Sequence, residues 1–345
     1  EKPTAAFLDR LGTVFGFTPP TAHGHDAVQA AQAMIDGEAK ALLCLGGNFA
    51  VAMPDHDKAF PALKTLDLSV HVATKLNRTH LLVGKETWLL PCLGRTELDM
   101  QRSGQQSITV EDSMSMVHAS SGKLKPASPL LRSEPAIVAG IAHATLTNSN
   151  TDWLELVADY DRIRDRIEQT LPGFENFNAR IRIAGGFRMP LPPTERIWPT
   201  PTGKAMFSLF DGVEENLPGE GENVLRLVTL RSHDQYNTTI YALDDRYRGV
   251  FGRRDVLFMN EADMQQLGLE HGDRVDITTA LPDSQQRLND ITLVAYSIAP
   301  GTVAAYYPEA NVLVPLHYLD KESGTPSYKS VPVHITLRSK EIRAL

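Results

Sequence analysis

Four stretches of the sequence gather side chains that can bind or react. Leu45-Gly46-Gly47-Asn48 follows an apolar run. Its glycines let backbone amides approach a phosphate, and Asn48 offers a donor and an acceptor to a base or sugar. The stretch is not GxGxxG, so a nicotinamide-dinucleotide site is unsupported. Thr74-Lys75-Leu76-Asn77-Arg78-Thr79 follows the next apolar run, with a hydroxyl pair and two cations. Thr229-Leu230-Arg231-Ser232-His233-Asp234-Gln235-Tyr236-Asn237-Thr238-Thr239 crowds polar groups into one loop, as ligand-binding loops do. His233 beside Asp234 has the makings of a general base and its orienter, without a nucleophile nearby. Tyr306-Tyr307-Pro308-Glu309-Ala310-Asn311 and Pro326-Ser327-Tyr328-Lys329 add rings that stack on a heterocycle and polar groups that select it. Each stretch also has a plain structural reading: a glycine turn, a solvated loop, a barrel rim.

Other chemistries find no support. Cys44 and Cys92 each stand alone on apolar segments, which suits small core residues. With no CxxC pair, this chain alone cannot build a structural zinc site or an iron–sulfur cluster. His23-Gly24-His25 reads as a surface loop, and no P-loop, zinc helix or Ser–His–Asp set is present. A net charge of −8 argues against broad binding to nucleic acid or anionic membranes. A small phosphate pocket built from loop amides and a few basic side chains remains open. No apolar run reaches the roughly 18 residues of a membrane span, and the sparse cysteines suit a reducing cytoplasm. The first residue is Glu1 and no signal peptide follows, so a fragment of a longer protein is expected.

The elements that must hold these stretches follow from periodicity. Ala41–Leu45, Leu68–Ala73 and Thr87–Leu90 are expected strands of a buried parallel sheet, with helices at Ala5–Phe15, His25–Gly37 and Asp57–Leu66. Further helices are expected at Pro135–Ala144 and Thr151–Gln169. Ligands of such sheets bind beyond the strand ends, where Gly46 and Thr74 fall. Leu171–Gly221 is rich in proline and is expected to be a connector with little regular structure. From there the texture is β, with strands at Val224–Leu230, Val256–Met259, Arg274–Thr279, Asp290–Tyr296, Thr302–Tyr306 and Val331–Leu337. One helix, Glu261–Leu267, ends at Gly268, and the whole suggests a small closed barrel. The expected architecture is α/β: a doubly wound parallel-sheet domain over residues 1–170, a connector over 171–221 and a β-barrel over 222–345. The Gly46 loop and the Thr229–Thr239 loop are expected to face one crevice.

In this order the motifs resemble the C-terminal portion of the formate-dehydrogenase-like molybdopterin oxidoreductases, in their YdeP-type branch. Gly46-Gly47-Asn48 falls at the family's loop beside a guanine dinucleotide. Thr74-Lys75 falls where relatives read the guanine, although Lys75 replaces a customary acid. Arg132-Ser133-Glu134 matches a helix start that places Glu134 toward the cofactor. Residues from Asn223 onward resemble the molybdopterin-dinucleotide-binding domain, a double-psi β-barrel. The resemblance implies a pocket using Thr229, Arg231, Ser232, His233, Asp234, Thr238, Tyr307, Asn311 and Lys329. It implies a molybdopterin guanine dinucleotide with molybdenum, and a two-electron oxidoreductase with formate as the default substrate. The metal ligand, and any iron–sulfur cluster, would lie in an N-terminal half outside this chain, so this chain by itself is expected to be inactive. That half, a small-molecule substrate and an electron-transfer protein are the implied partners. The rival reading is a non-catalytic module that binds a nucleotide cofactor.

Overall fold

The computed structural model of the protein describes residues 3–207, 221–238, 240–320 and 323–338. The chain forms two compact units, Glu1–Gly24 with Pro91–Val213, and His25–Leu90 with Glu214–Leu345. The two units are therefore interleaved along the sequence, each built from two segments.

In the second unit, helix α1 (Ala27–Ile35) starts at Asp26. The Asp26 carboxylate accepts from Gln29 N, and the Gln29 side chain accepts from Asp26 N, which satisfies two amides that an open helix end would leave bare. Strand β1 (Ala41–Leu45) then pairs in parallel with β2 (Leu68–Ala73), aligning Leu43 with Val70 and Leu45 with Val72. The short helices α2 (Phe49–Ala52) and α3 (His56–Thr65) lie between them in sequence, and β3 (Glu86–Pro91) gives the order β1-β2-β3. Val28, Ala31 and Met34 of α1 pack with Ala59, Ala62 and Leu63 of α3, and Leu316 joins the same core.

The rest of this unit is a closed six-stranded barrel of β4 (Leu225–Leu230), β5 (Val256–Met259), β6 (Arg274–Thr279), β7 (Arg287–Ala295), β8 (Thr302–Tyr306) and β9 (Val331–Leu337). The ring runs β5-β7-β6-β9-β4-β8. Two pairs are parallel, β5 with β7 and β4 with β8, and the other contacts are antiparallel. Exchanging the triplets β5-β7-β6 and β8-β4-β9 maps the ring onto itself, the two-fold pattern of a double-psi barrel. Alternate residues of β4 and β6 are buried, as one-faced strands require. Helix α4 (Glu261–Leu267) ends at Gly268 with φ 67°, a left-handed cap that glycine adopts without strain.

Two side-chain ties, one buried and one partly buried, join α2 to the barrel. Asn311 Nδ2 donates to Val51 O at 2.9 Å, and Tyr328 Oη donates to Ala52 O at 2.9 Å. Asp55 N also donates to Val314 O at 2.9 Å. These contacts correct the division at residues 170 and 222, because residues 25–90 are packed into the barrel's own unit.

The first unit carries the helix Ala5–Phe15 and an antiparallel pair, Ile108–Glu111 with Met116–Ser120, extended by Phe187–Arg188. The expected helix Thr151–Gln169 is two helices, Trp153–Ala158 and Tyr160–Thr170, because Asp159 turns extended at φ −153° and caps the second. The expected connector has structure of its own. Phe177 and Ile181 of a short helix pack with Phe187 in a small core. Its residues 208–220 lie outside those described. Among the described residues no helix is long and apolar enough to cross a membrane.

Candidate cofactor-binding groove

β1 ends in Gly46 at φ 64° and Gly47 at φ 71°, conformations that cost most side chains strain. Gly46 N donates to Val72 O at 2.7 Å, which fixes the turn to β2, and a Cβ added at Gly47 would meet nothing within 4 Å. The outer side of Gly47 is thus open backbone. Asn77 Nδ2 donates to Gly47 O at 2.6 Å from the loop after β2. Asn48 is buried. Its Oδ1 accepts from Thr79 Oγ1 at 3.1 Å, and its Nδ2 donates to Thr238 O, in the loop after β4, at 3.4 Å.

These three loops border one groove of about 930 Å³, wholly within the second unit. Of the residues singled out by sequence, Gly46, Gly47, Asn48, Thr74, Lys75 and Thr238 line it. The Gly46 loop borders this groove, but of the 229–238 loop Thr238 alone lines it; Thr239 lies outside the described residues. Leu76, Asn77, Arg78, Pro308 and Glu309, from the Thr74–Thr79 and Tyr306–Asn311 stretches, line it too, whereas sequence reading missed His56, Tyr241, Arg287 and Asn289. Lys75, Arg78 and Arg287 are exposed in the groove, and none makes an ion pair or side-chain hydrogen bond with the described residues. The one carboxylate of the lining, Glu309, is occupied. Arg254 Nε donates to its Oε1 at 2.7 Å. The groove is therefore donor-rich and cationic inside a chain that is acidic overall. His56 sits at its wall with Nε2 buried and unpartnered, stacked on Phe60 at 4.5 Å, and burial pushes its pKa down.

The remaining candidates sit elsewhere. Arg231, Tyr307 and Lys329 gather at the ends of β4 and β8. Lys329 Nζ donates to Thr229 O, and burial, then the nearby Arg231 charge, lowers the ammonium pKa. Burial raises that of Tyr307, whose ring meets Tyr328 edge-on at 6.3 Å. Thr229 and Ser232 are buried, and Ser232 Oγ accepts from Arg254 Nη1 at 2.8 Å. Asn311 is fully buried beneath α2, where it acts as a strut. His233 Nε2 and Asp234 Oδ1 pair at 3.2 Å, with the Asp234 side chain 76% exposed and the imidazole against Tyr247. Glu134 belongs to the first unit, in the opening turn of the helix Glu134–Thr145 behind the Ser133 cap.

Arg254 was also missed. It is buried, donates to Ser232, Glu309 and Tyr307 O, and lies over the rings of Tyr241 at 4.3 Å and Tyr306 at 4.7 Å. It pins the 231–238 loop to the barrel. The signal available in sequence was Arg253-Arg254-Asp255 before a fully buried strand, which reads equally as a solvated turn.

Of the cysteines, Cys92 is buried and its thiol is pushed up to about 11 by burial, then by Glu134 and Glu97. Cys44 is half-buried, and burial raises it too. Among the described residues no three His, Cys, Asp or Glu come together as a metal site.

The second unit is a closed double-psi ring fused to a parallel αβ layer, with a cationic groove at their shared loops. Residues 225–332 match the family described as the molydopterin dinucleotide binding domain. With the relatives that follow, this match makes the chain similar to the C-terminal, dinucleotide-binding portion of molybdopterin oxidoreductases. It is 51% identical over 338 residues to the protein YdeP of Escherichia coli (strain K12), covering 97% of this chain and 44% of that protein. It is 46% identical over 342 residues to an uncharacterized oxidoreductase of Mycobacterium tuberculosis, with the same coverage of 97% and 44%. The chain thus spans less than half the length of these relatives. The fold is also that of acetylene hydratase from Pelobacter acetylenicus, at a TM-score of 0.59 and 17% identity over 96% of this chain and 49% of that one.

Proposed function

We propose that the groove holds the nucleotide end of a molybdopterin guanine dinucleotide, and that the full-length protein is a molybdenum-dependent two-electron oxidoreductase with formate as the first substrate to try. The observation that carries this is the convergence of Lys75, Arg78 and Arg287, without ionic partners among the described residues, on a glycine loop whose backbone is open. Fixed cations left unpaired in a groove are spent on a ligand, and a pyrophosphate is the ligand that three cations and loop amides suit. The groove's volume falls in the range of ligand sites, roughly 300–1,000 Å³. Lys75 donates only, so it meets an acceptor edge of the base or a phosphate oxygen, not the base's N–H groups.

When bound, the molybdenum cofactor would supply the redox chemistry. This chain's residues would place it. The Gly46–Asn48 loop would present amides, the cations would neutralise phosphate charge, and the Asn48–Thr79–Thr238 bonds would hold the loops in register. The Arg231, Tyr307 and Lys329 cluster would offer a second cationic, aromatic contact. The metal ligand, any iron–sulfur cluster and the electron-transfer contact would lie in the part of the protein outside this chain.

The test uses the full-length protein expressed with a functional molybdenum-cofactor supply. Acid release should yield molybdenum and a guanine nucleotide in fixed ratio, and formate should reduce an artificial electron acceptor. Protein that folds but carries neither metal nor nucleotide sinks the reading. Metal and nucleotide without formate turnover removes only the substrate.

A further inference from the structure

His56 opens α3 on the wall of the groove. Its ring stacks on Phe60, one helical turn along, with centroids 4.5 Å apart, so packing fixes the plane of the imidazole. Nε2 is buried without a hydrogen bond, whereas Nδ1 is not among the buried atoms and bonds to none of the described residues. The carbonyls of Met53 and Val51 lie beside the ring. A proton is favourable next to carbonyl oxygens and a lone pair is not, so the buried Nε2 is the nitrogen that keeps the proton. In the neutral ring Nδ1 is then a bare acceptor.

The surroundings keep the ring neutral. Burial first, and then the Arg78 charge on the turn Arg78–Leu81, lower its pKa, while the two carbonyls and Asp57 act the other way. Lys75 and Arg287 add positive charge to the same groove. Asp55 is held by Lys58 at 3.1 Å and Glu309 by Arg254 at 2.7 Å, and His80 turns its ring edge-on to His71 at 5.1 Å. His56 is thus an acceptor on a wall of donors. Other acceptors there are engaged: Asn48 Oδ1 by Thr79 Oγ1, Asn77 Oδ1 by Thr79 N, and Glu309 by Arg254.

We propose that His56 reads the base of the bound nucleotide, its Nδ1 accepting from the edge where guanine carries N1–H and the 2-amino group. This rests on the guanine-nucleotide reading of the groove. Lys75 only donates, so it serves the O6 and N7 acceptors, and the N–H edge needs an acceptor from elsewhere.

The experiment uses the full-length protein made without a molybdenum-cofactor supply, titrated calorimetrically with guanosine diphosphate and with inorganic pyrophosphate. His56→Phe keeps the stack on Phe60 and removes the acceptor. It should bind guanosine diphosphate several-fold to about tenfold more weakly, as loss of one neutral hydrogen bond implies, and pyrophosphate as well as the wild type does. His56→Gln returns an acceptor and should regain part of the loss. Acid should act like the phenylalanine: below about pH 6 the imidazole takes up a proton, and wild-type binding of guanosine diphosphate should weaken relative to pyrophosphate. That comparison needs no variant, so it stands if His56→Phe fails to fold. Equal nucleotide affinity in wild type and His56→Phe, or no divergence between the two ligands on acidification, overturns the proposal alone. Weaker pyrophosphate binding by His56→Phe would make the imidazole a phosphate contact and overturn it too. A wild type that binds neither ligand sinks the groove reading, and this proposal with it.

Discussion

Asn311 and Val51, 260 residues apart, meet where the barrel is buried against α2, with Nδ2 donating to the carbonyl at 2.9 Å. The same amide reaches Ala52 O at 3.3 Å, and the Asn311 side chain has no solvent exposure. Replacing it with alanine leaves two carbonyls without this donor in a dry place. Asn311→Ala should cost about 1–3 kcal/mol, the penalty for stranding buried acceptors. Urea unfolding of the full-length protein measures it, and an unshifted midpoint would show that water replaces the amide.

Arg254 should be worth more than its exposed neighbours. Its guanidinium is nearly buried, pairs with Glu309 and satisfies Ser232 and Tyr307 O. Arg254→Ala leaves Glu309 unpaired and the 231–238 loop unpinned. A loss on the order of 3 kcal/mol is expected. Arg254→Lys should recover little of it, since one ammonium cannot reproduce the planar fork. Proteolysis within residues 231–238 should rise in both variants; full rescue by lysine would argue against a shape-specific role.

The groove cations should behave oppositely. The side chains of Lys75, Arg78 and Arg287 form no hydrogen bond or ion pair with the described residues, so Arg78→Gln and Arg287→Gln should leave the unfolding midpoint unchanged. Each should weaken cofactor retention by one to two decades, as loss of a charge-assisted hydrogen bond of about 1.5–3 kcal/mol implies. Added salt should weaken the wild type more than either variant. Molybdenum and nucleotide content, assayed after gel filtration at several salt concentrations, reads this directly. Variants that retain cofactor like the wild type would move the phosphate site elsewhere.

Acid should destabilise the second unit through two imidazoles. His71 is 2% exposed with neither ring nitrogen hydrogen-bonded, and burial lowers its pKa, as it does that of His56. Unfolded histidine takes up its proton near pH 6.5, whereas these two resist until lower pH. Between those points the unfolded state binds more protons, so stability falls as pH falls from about 6.5. Unfolding free energy should therefore drop between about pH 7.5 and about pH 5.5. His71→Leu should remove part of that slope, and an unaltered slope would clear His71 of the effect.

Much of this was legible in the residues. Strands Val256–Met259, Arg274–Thr279, Thr302–Tyr306 and Val331–Leu337 fall where the β pattern puts them, because short Val- and Ile-rich runs between turns have few other uses. The glycine turn after β1 and the polar loop after β2 were read as converging, and they do. Pairing was not legible. Nothing local says that β7 begins at Arg287 and swings that side chain into the groove, since the register comes from β6 and β5. Nor does composition distinguish Asn311 as a strut from Asn311 as a ligand contact; burial decides it. The 229–238 loop looked like a single site, yet Thr229 faces inward as an alternate residue of β4, Ser232 is drawn inward by Arg254, and Asp234 faces solvent.

The interleaving of the two units along the sequence has a consequence for synthesis. β1 and β2 leave the ribosome early, but the barrel that buries α2 begins after Pro91–Val213 has been made. At bacterial and eukaryotic elongation rates of about 5–20 residues per second, that is a wait of several seconds or more. During it, Met53, Leu63 and Leu66 have no Leu316 to close their core. The nascent chain is thus a natural client for a holding chaperone, and slowing translation within Pro91–Val213 should lengthen that exposure without changing any contact of the finished protein.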